Sequence, residues 1–185
     1  MKNSSALKLT ITALLITIGI VIPMFSPLKI VLEPASFTLA SHVAIFIAIY
    51  ISPGVAVAVA IGTAAGFFFG GFPIVIVFRA ASHVVFALVG ALIIKRLPDL
   101  MSGGLKLRGL SLGLALIHAI CELAVVSIFY FSGGMSQTYY QSGFMLSVLL
   151  LVGLGTVVHS MIDFEIAFLV VKPLRSRLAA ISAKV

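Results

Sequence analysis

The stretch from Phe72 to Ile94 is apolar apart from Arg79, Ser82 and His83. About 20 apolar residues suffice to cross the hydrocarbon core of a bilayer, so this stretch predicts a transmembrane helix. That setting restricts the fold severely. In lipid every backbone N–H and C=O needs a partner inside the protein, which leaves helices or a closed barrel. It also makes Arg79 a charge at membrane depth, where a cation costs roughly 2.5–3.5 kcal/mol on insertion scales. A chain retains such a residue where it faces a partner, a cavity or a ligand. The membrane region is therefore expected to handle something negatively charged.

Composition extends the argument to the whole chain. The 185 residues are 62% hydrophobic and 9% charged, against about 45–50% and 25% in soluble domains. The net charge of +7 would suggest nucleic acid in a soluble protein. Here the preference of basic residues for the cytoplasmic side is a sufficient cause, and no nucleic-acid partner is expected. A single cysteine, Cys121, excludes an internal disulfide framework. The basic start and apolar run of residues 1–25 resemble a signal peptide, but no small-residue cleavage site follows. We read a retained first helix.

Punctuation by Pro and Gly divides the chain into six spans. The first runs from Ala6 to Phe25, and a short polar connection, Ser26 to Ser36, follows. The second runs from Phe37 to Ile51. Pro53 opens the third, which ends near Phe69. A Gly70–Gly71 turn and Pro73 precede the fourth, which closes at Lys95–Arg96. The fifth covers Gly109 to Phe131 and the sixth Gly143 to Val171. Lys2, Lys8, Lys95, Arg96, Lys106, Arg108, Lys172, Arg175, Arg177 and Lys184 then share one side, with Lys29 opposite. The expected architecture is an all-α integral membrane protein, a single domain over residues 1–185 with six transmembrane helices. Both termini are cytoplasmic, and the membrane is the cell membrane.

Counting depth at 1.5 Å per residue brings polar groups of several helices to overlapping levels. His42 lies early in the second span. Arg79 and His83 lie one turn apart on the fourth, and Glu122 and His118 one turn apart on the fifth. Thr156 and His159 fall near the middle of the sixth, with Asp163 and Glu165 deeper. One reading is an outward-facing polar pocket with Arg79 as anion anchor, since its planar fork matches a carboxylate. The other is an Arg79–Glu122 ion pair that joins two helices. The histidines can be packing residues or ligand contacts. They sit on four helices without an HxxxH pair, and no metal site is expected. Asp163 and Glu165 are assigned to basic partners near the inner surface. Tyr139 fits either an interfacial aromatic belt or a ligand contact.

Two stripes of small residues stand out. Gly62, Gly66 and Gly70 form a doubled GxxxG on the third helix. Ala6, Thr10, Ala13 and Thr17 form a stripe on the first. One stripe is expected to serve internal packing. The first-helix stripe can do the same or receive another protein.

Three strings carry a resemblance. They are LKLTITALL from Leu7 to Leu15, EPASFTLASHVAIFIAIYISP from Glu33 to Pro53, and FRAASH from Phe78 to His83. With six spans, a basic inner side and no GxxxxGK[ST] phosphate loop, the chain resembles the substrate-binding S components of energy-coupling factor (ECF) transporters. The second and third strings resemble the pantothenate and niacin branch. The resemblance implies a subunit without its own enzyme activity or cofactor. Such a subunit binds a water-soluble vitamin near the outer face and topples to deliver it. Its implied partners are a membrane coupling protein, the T component, and two cytoplasmic ATPases that use ATP. It also implies that the first-helix stripe meets the coupling protein, with Thr10 and Thr17 where the family's pattern has Ala. The expected substrate-binding residues are Arg79, His42, His83, Glu122, His118 and Tyr139, and the expected ligand is pantothenate, with niacin next. A stand-alone ion-coupled carrier using Asp163 and Glu165 is the competing function. No HExxH or GxSxG motif supports an intramembrane enzyme.

Overall fold

The computed structural model describes residues 2–32 and 35–174. Glu33, Arg175, Arg177 and Lys184, which entered the sequence reading, lie outside the described residues. Helix α1 (Lys2–Phe25) leads into an antiparallel hairpin of β1 (Lys29–Leu32) and β2 (Ala35–Thr38), with Lys29 opposite Thr38. Helices α2 (Val43–Ile49), α3 (Pro53–Phe69), α4 (Ile74–Arg96) and α5 (Leu105–Phe131) follow. A short helix, α6 (Gln137–Gln141), precedes a long rod made of a π-helical segment (Met145–Leu154) and α7 (Gly155–Val171).

Among the described residues four helices are long and apolar enough to cross a bilayer, at Ser5–Phe25, Ile74–Arg96, Leu105–Phe131 and Met145–Leu174. The punctuation residues act as expected. Ser52 caps α3 by accepting from the Val55 N–H at 3.3 Å, and Pro53 occupies its first turn. Gly71 turns at φ 74°, and α4 starts directly after Pro73.

The second span departs from the expectation. Only Val43–Ile49 is helical, and the first residues of the expected Phe37–Ile51 helix lie in β2 and a turn. At 1.5 Å per residue α2 is about 10 Å long, a third of the hydrocarbon thickness. The described fold is that of an all-α membrane protein that also carries one short hairpin. The reason is burial. Val43, Ala44, Ile45, Phe46, Ala48 and Ile49 are all buried, and α2 packs on α1, α3, α4 and α7. Its apolar character answers protein neighbours instead of lipid. The non-helical backbone before it is tolerated because it is enclosed and bonded: Leu39 N–H donates to Leu28 O at 2.9 Å, and Asp163 accepts the next donors. The core forms around Phe46, whose ring lies 5.3 Å from Phe86 and 5.2 Å from Phe164.

The two small-residue stripes divide their roles. Gly62 and Gly66 receive Ile16 and Ile20 of α1, and a Cβ at Gly62 would meet Ile16 Cδ1 at 2.5 Å. Leu15 and Gly19 are buried, and a Cβ at Gly19 would meet Thr63 of α3. Ala6, Thr10, Ala13 and Thr17 lie on the other side of α1, and all four are exposed. Thr10 and Thr17 donate their hydroxyls back to Ala6 O and Ala13 O at 3.0 Å. With its polar hydrogen engaged in this way, each Thr presents a small surface that is largely apolar.

Candidate binding site

Spacing along α4 and α5 fixes the first half of the site. Arg79 and His83 share one face of α4, and His118 and Glu122 share one face of α5, because residues four apart are neighbours on a helix. Where the faces meet, Arg79 Nη2 donates to Glu122 Oε2 at 2.9 Å. Thr156 of α7 donates its hydroxyl to the same oxygen at 2.7 Å. His83 Nε2 lies 3.4 Å from Glu122 Oε1. His118 Nε2 lies 3.5 Å from that oxygen, outside hydrogen-bond geometry. Both open readings of Arg79 thus start from a real ion pair.

The second half is built on Asp163. The sequence placed this residue deeper, beside basic partners at the inner surface. Instead it is fully buried and accepts from the backbone N–H of Ala40 at 2.8 Å and of His42 at 2.9 Å. It also meets His42 Nδ1 at 3.1 Å and His159 Nε2 at 3.3 Å. The correction follows from the short α2, whose first turn starts well inside the bundle instead of at its edge. Ala40 takes up a left-handed conformation, φ 67°, at a cost of about 1–2 kcal/mol, and the bonds to Asp163 offset it. Ser41 Oγ bridges His42 Nδ1 at 3.1 Å and His159 Nε2 at 3.0 Å. Glu165 does follow the expectation of a basic partner and pairs with Arg108 at 3.3 Å on an open face.

The four histidines converge although each comes from a different element. The His42 ring centroid lies 4.8 Å from His83, 4.7 Å from His118 and 5.0 Å from His159. His83 and His118 lie 4.6 Å apart. Above this floor opens a cavity of about 310 Å³. Its polar wall holds Arg79, Glu122 and Thr156, and its apolar wall holds Phe37, Phe67 and Phe72. Phe67 and Phe72 stack at 4.5 Å, and Phe37 leans on His159 at 5.6 Å. Lys29, on the hairpin, also lines it. Arg79 Nε and Thr63 Oγ1 are buried at this wall without a hydrogen-bond partner among the described residues. Buried polar groups are rarely left so, and both suit a bound ligand.

Of the expected contacts, Arg79, His42, His83 and Glu122 line the cavity. His118 is fully buried and meets them from behind. Tyr139 sits in α6, half-buried, with its backbone carbonyl accepting from Ser147 at 2.8 Å, and is not among the lining residues. Sequence reasoning missed Asp163, Ser41, Thr63 and the Phe37 ring as parts of the site. The connection after the first helix supplies Lys29 to the wall, and the start of the expected second span supplies Phe37 and Thr38.

Comparison with known proteins adds one finding. The chain is 39% identical, over 166 residues, to the niacin transporter NiaX of Lactococcus lactis subsp. cremoris (strain MG1363), a match covering 90% of this chain and 73% of the relative. No protein-family profile matches the chain, and no solved structure does.

Proposed function

From a chain that belongs to the S-component family of ECF transporters, on the niacin side, and is a multi-pass protein of the cell membrane, we propose the substrate-binding subunit of an ATP-driven niacin importer. The observation that carries the reading is Arg79. A guanidinium buried beside a cavity, with one N–H unpartnered and one shared with Glu122, suits the carboxylate of nicotinate. Binding exchanges one carboxylate for another: the ligand takes Arg79, and Glu122 keeps Thr156 and His83. The pyridine ring fits among Phe37, Phe67 and Phe72, where aromatic rings favour offset or edge contacts. His42 and His83 form the floor, with His118 packed behind them.

The earlier preference for pantothenate gives way. The relative is named for niacin, and a volume of about 310 Å³ stands at the small end of the roughly 300–1,000 Å³ typical of ligand sites. A compact aromatic acid suits it better than a longer flexible one.

The chain passes the membrane six times in this reading, with both termini cytoplasmic. The short α2 and the extended residues before it make the second pass. The arrangement keeps Lys95, Arg96, Lys106 and Arg108 inside. Energy comes from partners, a T component and two ATPases, since the sequence lacks a phosphate loop. The exposed stripe Ala6, Thr10, Ala13 and Thr17 is the surface that meets the T component. Small side chains allow close helix approach there.

Uptake of labelled nicotinate in cells with and without the coupling module tests the proposal. Uptake that needs the module supports it. Uptake that persists without the module and collapses with an uncoupler replaces it with an ion-coupled carrier.

A further inference from the structure

We propose that His42, His83 and His118 bind one divalent transition-metal ion, with Zn²⁺ the expected occupant. Each offers one ring nitrogen, and the three ligand atoms lie within 4.8 Å of one another. The hydrogen bonding around the trio points the same way. His42 engages Nδ1 with Asp163 and Ser41, and among the described residues no hydrogen bond involves its Nε2. His118 engages Nδ1 with Ser160 Oγ at 3.2 Å, and its Nε2 is buried and unpartnered. His83 turns Nε2 to Glu122 at 3.4 Å, and its Nδ1 is buried and unpartnered. Each ring is therefore held by a hydrogen bond at one nitrogen, and on His83 and His118 the other nitrogen makes none among the described residues, His118 Nε2 standing 3.5 Å from Glu122 Oε1. Metal-ligating histidines show this pattern, a carboxylate or hydroxyl fixing the tautomer while the second nitrogen coordinates.

The alternative, three packed neutral rings, leaves His83 Nδ1 and His118 Nε2 buried and without a hydrogen bond among the described residues, which is costly at both. One ion satisfies both and takes His42 as its third ligand. Imidazole ligands suit Zn²⁺, Cu²⁺ and Ni²⁺, and three of them with a fourth position open is a known zinc arrangement. Zn–N bonds of about 2.0–2.1 Å set ligand nitrogens roughly 3.3 Å apart, so the rings close by up to about 1.5 Å on loading. Charge balance also favours the ion. Arg79 and a divalent cation bring three positive charges, and Glu122 and Asp163 bring two negative ones. One positive charge remains for a monoanionic ligand at the cavity above.

The test uses the full chain in detergent, purified without a histidine tag, stripped by a chelator and kept free of vitamin. The expected result is about one Zn²⁺ retained per chain after reloading, with Co²⁺ giving the visible absorption of a tetrahedral site. His118→Gln and His83→Gln should each lower metal affinity by at least tenfold. Asp163→Asn, which removes no ligand, should lower it by about 10–100-fold. Wild-type protein that elutes as a folded monodisperse species and retains no ion overturns the proposal without reference to any variant. Loss of the ion in His159→Gln but not in His118→Gln overturns it too, because the site then belongs to His42, His159 and Asp163. Since no vitamin is present, either result leaves the niacin reading untouched.

Discussion

Glu122→Gln separates the two roles of the central ion pair. The amide keeps the shape of the side chain and the bond from Thr156, but removes the charge facing Arg79 at 2.9 Å. At that distance the pair's gross attraction is about 6 kcal/mol for an effective dielectric near 20. Breaking a buried pair costs about 3–5 kcal/mol, because one charge is left uncompensated. Arg79 keeps 13% side-chain exposure towards the cavity, so the lower end, about 3 kcal/mol, applies. For a chain of this size that corresponds to a midpoint about 6–12 °C lower in a thermal melt without ligand. Nicotinate should then bind at least about tenfold tighter than to the wild type, since its carboxylate no longer competes with Glu122, and it should recover most of the lost midpoint. The assay is a thermal-shift titration of the detergent-purified variant. A variant that melts lower and also binds nicotinate as weakly as Arg79→Ala would refute the reasoning. Glu122 would then be a ligand contact, and Arg79 only its tether.

Three further outcomes follow from the same geometry. Arg79→Ala removes the anchor and leaves Glu122 facing the anion, so nicotinate affinity should fall at least about 100-fold by equilibrium binding, with Arg79→Lys recovering part of it. Ala13→Leu adds bulk to an exposed stripe; co-purification with the coupling protein should be lost while nicotinate affinity stays within about twofold. Gly155→Ala pushes a Cβ into the Phe37 ring, overlapping its Cζ, so that the ring must move. Affinity should drop about 3–10-fold with only a small change in thermal midpoint, because up to about 1 kcal/mol of helix propensity gained over Gly offsets the cost of displacing the ring.

The long spans were readable in the sequence because lipid imposes length and apolarity on them, and Pro53, Pro73 and Lys95–Arg96 mark ends that the structure keeps. Arg79, His83, His118 and Glu122 were readable for a related reason: polar groups stand out in apolar helices, and depth can be counted along a regular rise. Counting failed where the rise is not helical. Phe37–Ile51 is apolar enough for a helix, and nothing in its periodicity tells buried extended chain from a span. The late start of α2 carries His42 down to Asp163, so the count set His42 too shallow and missed their meeting. The π-helical stretch Met145–Leu154 left no mark in the hydrophobic pattern. The convergence of four histidines from four elements is a tertiary fact that no spacing within one helix displays.

The most direct test is a binding titration of nicotinate into the purified chain alone, with pantothenate titrated in parallel. The account predicts saturable binding of nicotinate at one site, abolished by Arg79→Ala, with pantothenate far weaker. Folded protein that binds no nicotinate, or that prefers pantothenate, would contradict it.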